Sequence, residues 1–110
     1  MQNDAGASVV VVAYRPKAGK RDELLELVRE HVPYLRSVGM ATERVAVIAE
    51  ASDGTIVEVF EWAPGGVEKA HHHPGVGKLW ERFFAACDAV PLKDLPEASS
   101  LFAGFKPLEL

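Results

Sequence analysis

A single cysteine, Cys87, stands among the 110 residues, so no internal disulfide can form; this fits a reducing compartment and predicts a cytoplasmic protein. Nothing approaches the roughly 18 consecutive apolar residues of a membrane helix. The one early apolar run, Val9–Ala13, is too short for a secretory core, and Met1–Ser8 ahead of it carries no basic residue. Basic charge is also scarce. Twelve Lys and Arg stand against sixteen Asp and Glu, a formal net charge of −4. A protein that grips a phosphate backbone or an anionic bilayer needs the opposite balance, so neither a nucleic-acid partner nor a membrane partner is expected.

What remains is a composition of ordinary globular type, 48% hydrophobic and 25% charged, with room for one domain. Residues 1–7 read as a flexible N-terminal tail and 8–110 as the domain. Ser8–Arg15 is rich in valine and is stopped by Pro16, which predicts a strand. After Gly19 the residues Leu24, Val28, His31, Leu35 and Val38 recur at helical spacing, widened by Leu27 and Val32. Pro33 is expected to kink or split this helix, and Gly39 to end it. Met40–Ala51 and Thr55–Trp62 read as two strands joined by a two-residue hairpin at Asp53-Gly54. Val67–His73 reads as a short helical piece. A helix starting at Pro74 carries Val76, Trp80, Phe83, Cys87 and Val90 as its stripe. Ser99–Lys106 reads as the last strand.

The resulting order, β-α-β-β-α-β, predicts an α+β fold of ferredoxin-like type: a four-stranded antiparallel sheet with strands 1 and 3 central and both helices on one face. The hairpin would set Ala51, Ala49 and Val47 opposite Ile56, Glu58 and Phe60. The first strand is apolar on both sides. Helices can cover only one face, and the other would still show Val57, Val59, Ile48 and part of the first strand. Such a surface predicts a homodimer that buries it face to face.

Several segments together resemble the dimeric α/β barrel superfamily, in its antibiotic-biosynthesis-monooxygenase-like branch. They are the opening strand with Arg15-Pro16-Lys17-Ala18-Gly19-Lys20, the helix from Leu24 to Gly39, Phe60-Glu61-Trp62, Ala70-His71, and Leu79-Trp80. The resemblance spans about residues 8–107. It implies a dimeric barrel with a cavity between sheet and helices in each protomer. It also implies an oxygenase of a small aromatic or quinol that uses no metal or flavin, with O2 as co-substrate. Haem-degrading relatives carry an asparagine in the first strand and a tryptophan and histidine on the second helical region. Here the first strand has no asparagine and no histidine follows Trp80, which argues against haem.

Two residues are candidate proton acceptors. His31 sits on the apolar stripe of its helix, where a neutral imidazole could take a proton from a phenol. Glu58 is the one charged residue between Ile56 and Phe60, desolvated if that face lies under the helices. Trp62, His72 and Tyr14 are candidate substrate contacts, and Trp80 is expected in the core. His71, His72 and His73 cannot share one ion, because adjacent helical side chains diverge by about 100°; no metal site is expected. Cys87 reads as packing. Arg44 and Glu61 read as a surface pair. The rival reading is a non-catalytic dimer of the same fold that binds a small ligand or serves as a scaffold.

Overall fold

The computed structural model describes residues 6–110 and shows an α+β fold: one antiparallel sheet of five strands and three helices. Of the tail expected over residues 1–7, all but Gly6 and Ala7 lies outside the described residues. The elements are β1 (Ser8–Pro16), α1 (Arg21–Ser37), β2 (Val47–Glu50), β3 (Ile56–Trp62), α2 (Gly66–His71), α3 (Pro74–Ala86), β4 (Cys87–Val90) and β5 (Lys106–Pro107). The sheet order is β4-β1-β3-β2-β5, with β1 and β3 inside as expected; the added strand is β4, at the edge beside β1, and the expected last strand lies at the other edge as β5. Among the described residues no helix is long and apolar enough to cross a membrane.

Helix α1 forms for the reasons its spacing implies. Leu24, Leu27, Val28, His31, Val32 and Leu35 are all buried on one side, and Asp22 and Glu23 meet the positive end of its dipole. Of the expected kink or split at Pro33, the split does not occur: the helix runs on to Ser37. Pro33 and Arg29, whose carbonyl loses its partner, are both exposed. Gly39 ends the helix as expected. With φ +78° it lets its own N–H reach the Arg36 carbonyl at 3.0 Å and the Met40 N–H reach that of Leu35 at 2.8 Å, the paired bonds of a Schellman cap.

That cap shortens the second strand. Met40–Ala46 was expected to pair, but the Met40 and Ala41 amides are spent on Leu35, and the Arg36 guanidinium donates to the Thr42 and Arg44 carbonyls. Only a bridge from Ala41 to Trp62 survives, and β2 begins at Val47. The hairpin register also differs. Ala51 N–H donates to the Thr55 carbonyl at 2.8 Å, which closes a three-residue loop, Ser52 to Gly54, with Gly54 at φ +91°. One extra loop residue moves the pairing by one position, so Glu58 faces Ile48 rather than Ala49, and Val47 faces Val59.

Two further boundaries shift near the C-terminal end. The stripe of the last helix was expected to run on to Val90, yet the chain turns extended at Cys87, and Cys87–Val90 pair with Pro16–Ala13. Pro91 disfavours helix at Val90, and the free edge of β1 offers the backbone a ladder. The strand expected over Ser99–Lys106 contracts to Lys106–Pro107, which pairs with Glu50 and Ala49. Pro91 and Pro96 instead set two turns of 3-10 helix, Leu92–Asp94 and Pro96–Ser99.

The sheet therefore has two unlike faces. Val10, Val12, Tyr14, Ile56, Phe60 and Trp62 pack beneath the helices, where Leu24, Leu27 and Leu35 are fully buried. Each such side chain stabilises the fold by about 1.5–3 kcal/mol. On the reverse face, Leu95 and Phe105 from the C-terminal strap cover Ala13, Ala51 and Val57. Val9, Val11 and Val47 stay exposed there, while Ile48, expected among them, lies on the helix side.

Gly66 meets the loop after α1 so closely that a Cβ would stand 2.3 Å from the Met40 carbonyl oxygen, whereas a Cβ on Gly77 in α3 would meet nothing within 4 Å. Gly66→Ala is expected to cost about 1–3 kcal/mol through overpacking, and Gly77→Ala to gain about 0.5–1 kcal/mol through helix propensity. Urea denaturation midpoints of the two variants check both signs.

Candidate functional site

Glu58 lies in the middle of the central strand β3, between Val12 of β1 and Ile48 of β2. Strand alternation turns it toward α1 together with Ile56 and Phe60, and it is fully buried. Its Oε1 is held from two sides. The Tyr14 hydroxyl donates to it at 2.7 Å, and His31 Nδ1 lies 2.9 Å away. The other imidazole nitrogen, Nε2, accepts the Trp80 indole N–H at 3.1 Å. An indole only donates, so Nε2 must carry a lone pair. The His31 proton is therefore on Nδ1, and His31 donates to Glu58 as a neutral ring. The four residues form one directed chain, Trp80 to His31 to Glu58, with Tyr14 converging on the same oxygen.

Burial, and then the adjacent charge of Glu58, hold the Tyr14 hydroxyl far above the usual tyrosine range, so it remains a donor. Ring contacts fix the imidazole: Phe60 and Phe83 meet it edge-on, at centroid distances of 5.5 and 5.0 Å. The second carboxylate oxygen, Oε2, is buried and has no hydrogen-bond partner among the described residues.

Two cavities flank this chain. One, of about 200 Å³, is bounded by Tyr14, His31, Phe60, Trp62, Trp80 and Phe83 and is almost wholly apolar apart from the Tyr14 and His31 groups. Its size suits a one- or two-ring molecule. The other, of about 550 Å³, opens between α1, β2 and the residues after β5, and Glu58 lines it. Glu58 thus lines the larger cavity, while its partners Tyr14 and His31 line the aromatic one.

Of the residues singled out from sequence, His31, Glu58, Tyr14 and Trp62 come together here. His72 does not: it is exposed where α2 ends and lines neither cavity. Its neighbours have local duties. His71 Nδ1 bonds the Val67 carbonyl at 2.7 Å, and His73 Nδ1 accepts the Val76 N–H to cap α3. Among the described residues no three His, Cys, Asp or Glu side chains gather as a metal site. Cys87 is buried, which pushes its thiol up to about 11, the opposite of what a nucleophile needs. Arg44 and Glu61 pair at 3.1 Å. Trp80, expected as simple packing, is a participant. Its position one turn before Phe83 on the α3 stripe was visible, but nothing in a linear sequence aims an indole N–H at a histidine 49 residues away.

The raised Tyr14 hydroxyl has a consequence for stability. Above the ordinary value of 10.0 the unfolded chain loses this proton while the folded one keeps it, so stability is full below about pH 10 and falls as pH rises beyond it. Tyr14→Phe is expected to cost about 1–3 kcal/mol at pH 7, leaving Glu58 short of a donor, and to flatten the alkaline decline. Denaturation curves from pH 7 to 11 measure both, and the difference between the two proteins isolates Tyr14 from Cys87.

In comparisons with known proteins, no family model, no curated protein and no solved structure matches this chain.

Proposed function

We propose that this protein is a cofactor-independent oxygenase that takes a small phenol or quinol into the aromatic cavity and oxidises it with O2. The observation that carries the reading is the buried chain Trp80–His31–Glu58–Tyr14 set against a chamber walled by aromatic rings. A substrate hydroxyl would donate to the Tyr14 oxygen while Tyr14 passes its own proton to Glu58 Oε1. The two transfers are concerted, because burial keeps Tyr14 from standing alone as a phenolate. Glu58 is then the terminal base. His31 is a positioning residue, since both its nitrogens are engaged. The electron-rich ring gives an electron to O2, and the ring carbon captures the reduced oxygen. For a hydroquinone the balance is quinol plus O2 giving hydroxyquinone plus water, with no outside reductant.

The same reading assigns the fold to the ferredoxin-like dimeric α/β barrels and the assembly to a homodimer in a cytoplasmic setting. Support comes from the order β4-β1-β3-β2 within the sheet and from the open valines of the reverse face. Leu101 and Phe102, 97% and 95% exposed between Leu95 and Phe105 in the chain, supply further apolar surface for a second copy. Val11→Lys is expected to convert a 24 kDa species, twice the 12.0 kDa chain, into a monomer by sedimentation velocity; a monomeric parent protein at micromolar concentration would remove the dimer.

A second reading has its own observation. Every polar atom facing the aromatic cavity is already committed to the chain, which suits a protein that binds a small aromatic without turning it over. Oxygen uptake with a panel of hydroquinones separates the two. The oxygenase reading expects uptake that falls at least tenfold in Glu58→Gln. Calorimetric binding of the same compounds with no uptake would leave the binding protein.

A further inference from the structure

We infer that the larger cavity is a second ligand site, independent of the oxygenase reading, for an aliphatic molecule bearing one hydrogen-bond-donating head, an ammonium or a hydroxyl. Its walls differ in kind from those of the aromatic chamber. Val28, Val32, Ala46, Ile48 and Leu108 line it, and Glu58 is the polar group in its inner wall. Of the charges around its rim, Arg29 pairs with Glu26 and Arg36 donates to the Thr42 and Arg44 carbonyls, while Glu43 and Glu109 make no ion pair among the described residues. Glu58 differs from all of these in being buried. Its Oε1 is saturated from the far side by Tyr14 and His31, and its Oε2 is buried without a partner.

A buried acceptor left without a donor costs about 1–3 kcal/mol. A ligand that brings an N–H or O–H to Oε2 recovers that cost, while its alkyl body displaces water from the valine and isoleucine walls. A carboxylate or other acceptor head brings oxygen against oxygen and is rejected. The inner wall therefore discriminates by donor polarity through Oε2, in a cavity whose rim also carries the carboxylates of Glu43 and Glu109. Since Tyr14 and His31 both donate, a glutamine at position 58 would keep its carbonyl oxygen toward them and turn its NH2 into this cavity. Donor and acceptor then trade places at an almost unchanged volume.

The test is titration calorimetry of the full chain with n-octylamine, n-octanol and octanoate. Octylamine or octanol is expected to bind at least tenfold more tightly than octanoate, and the order of the two donors identifies the preferred head. In Glu58→Gln, octanoate should overtake octylamine. Ala46→Phe, which fills the cavity away from the Tyr14–His31 chain, should abolish binding of the alkyl probes while phenol binding in the aromatic chamber persists. Octanoate binding as tightly as the donor probes would overturn the inference. So would an unchanged order in a folded Glu58→Gln, or alkyl binding that survives Ala46→Phe. If Glu58→Gln does not fold, the head-group order in the parent protein together with Ala46→Phe still decides. Absent oxygen uptake with intact alkyl binding would count against the oxygenase alone.

Discussion

The constraint on which the rest depends is a carboxylate placed where the fold is driest. Glu58 has no exposed surface and sits at the centre of the sheet. Such a group needs donors, because the cost of stranding it without any rivals a sizeable share of a small domain's net stability. Tyr14 and His31 meet that need at one oxygen. Everything near them follows: Tyr14 must remain protonated, His31 must carry its proton on Nδ1, and the Trp80 indole can then point only at the nitrogen left over. A polar network of this kind constrains the core far more tightly than apolar packing would, since every member has a fixed direction.

The second determinant is the imbalance between sheet and cover. Five strands present two apolar faces, while α1, α2 and α3 shield one. The strap after β4 shields part of the other by laying Leu95 and Phe105 over Ala13 and Val57. What stays open is a band of valines, Val9, Val11 and Val47. Ion pairs do little to set this architecture. The Arg82–Glu30 fork between α3 and α1, at 3.2 Å, is exposed to solvent and adds under about 1 kcal/mol.

Much of this was legible in the residues. The α1 stripe named the buried positions apart from Val38, which lies past the helix end and is half-buried; Gly39 marked the helix end, and the alternation of β3 put Glu58 on the face of Ile56 and Phe60, leaving open whether the helices cover that face. The errors came where one local rule was overruled by a longer-range partner. Asp53-Gly54 is a two-residue turn signal, but Ala51 pairing with Thr55 made the loop one residue longer and shifted every cross-strand neighbour of β2. Met40–Ala46 has strand composition, yet its backbone groups were claimed by the α1 cap and by Arg36. Cys87–Val90 continued a helical stripe until the vacant edge of β1 drew it into the sheet. In the site itself, residue types could be listed as candidates, but the side on which His72 would fall and the direction of the Trp80 N–H are products of tertiary packing alone.

The hydrogen-bonded chain joins residues that are 27, 44 and 49 positions apart. None of its links is a neighbour contact that a partly made chain could rehearse. A nascent polypeptide can hold none of the arrangement before residue 58 and cannot complete it until residue 80 has been added and α3 has docked, and contacts of such long separation are won late, after their loops have been closed. Any ligand that recognises the completed arrangement will therefore bind finished molecules and ignore intermediates, and its occupancy will act as a count of how much of the population has reached the native state.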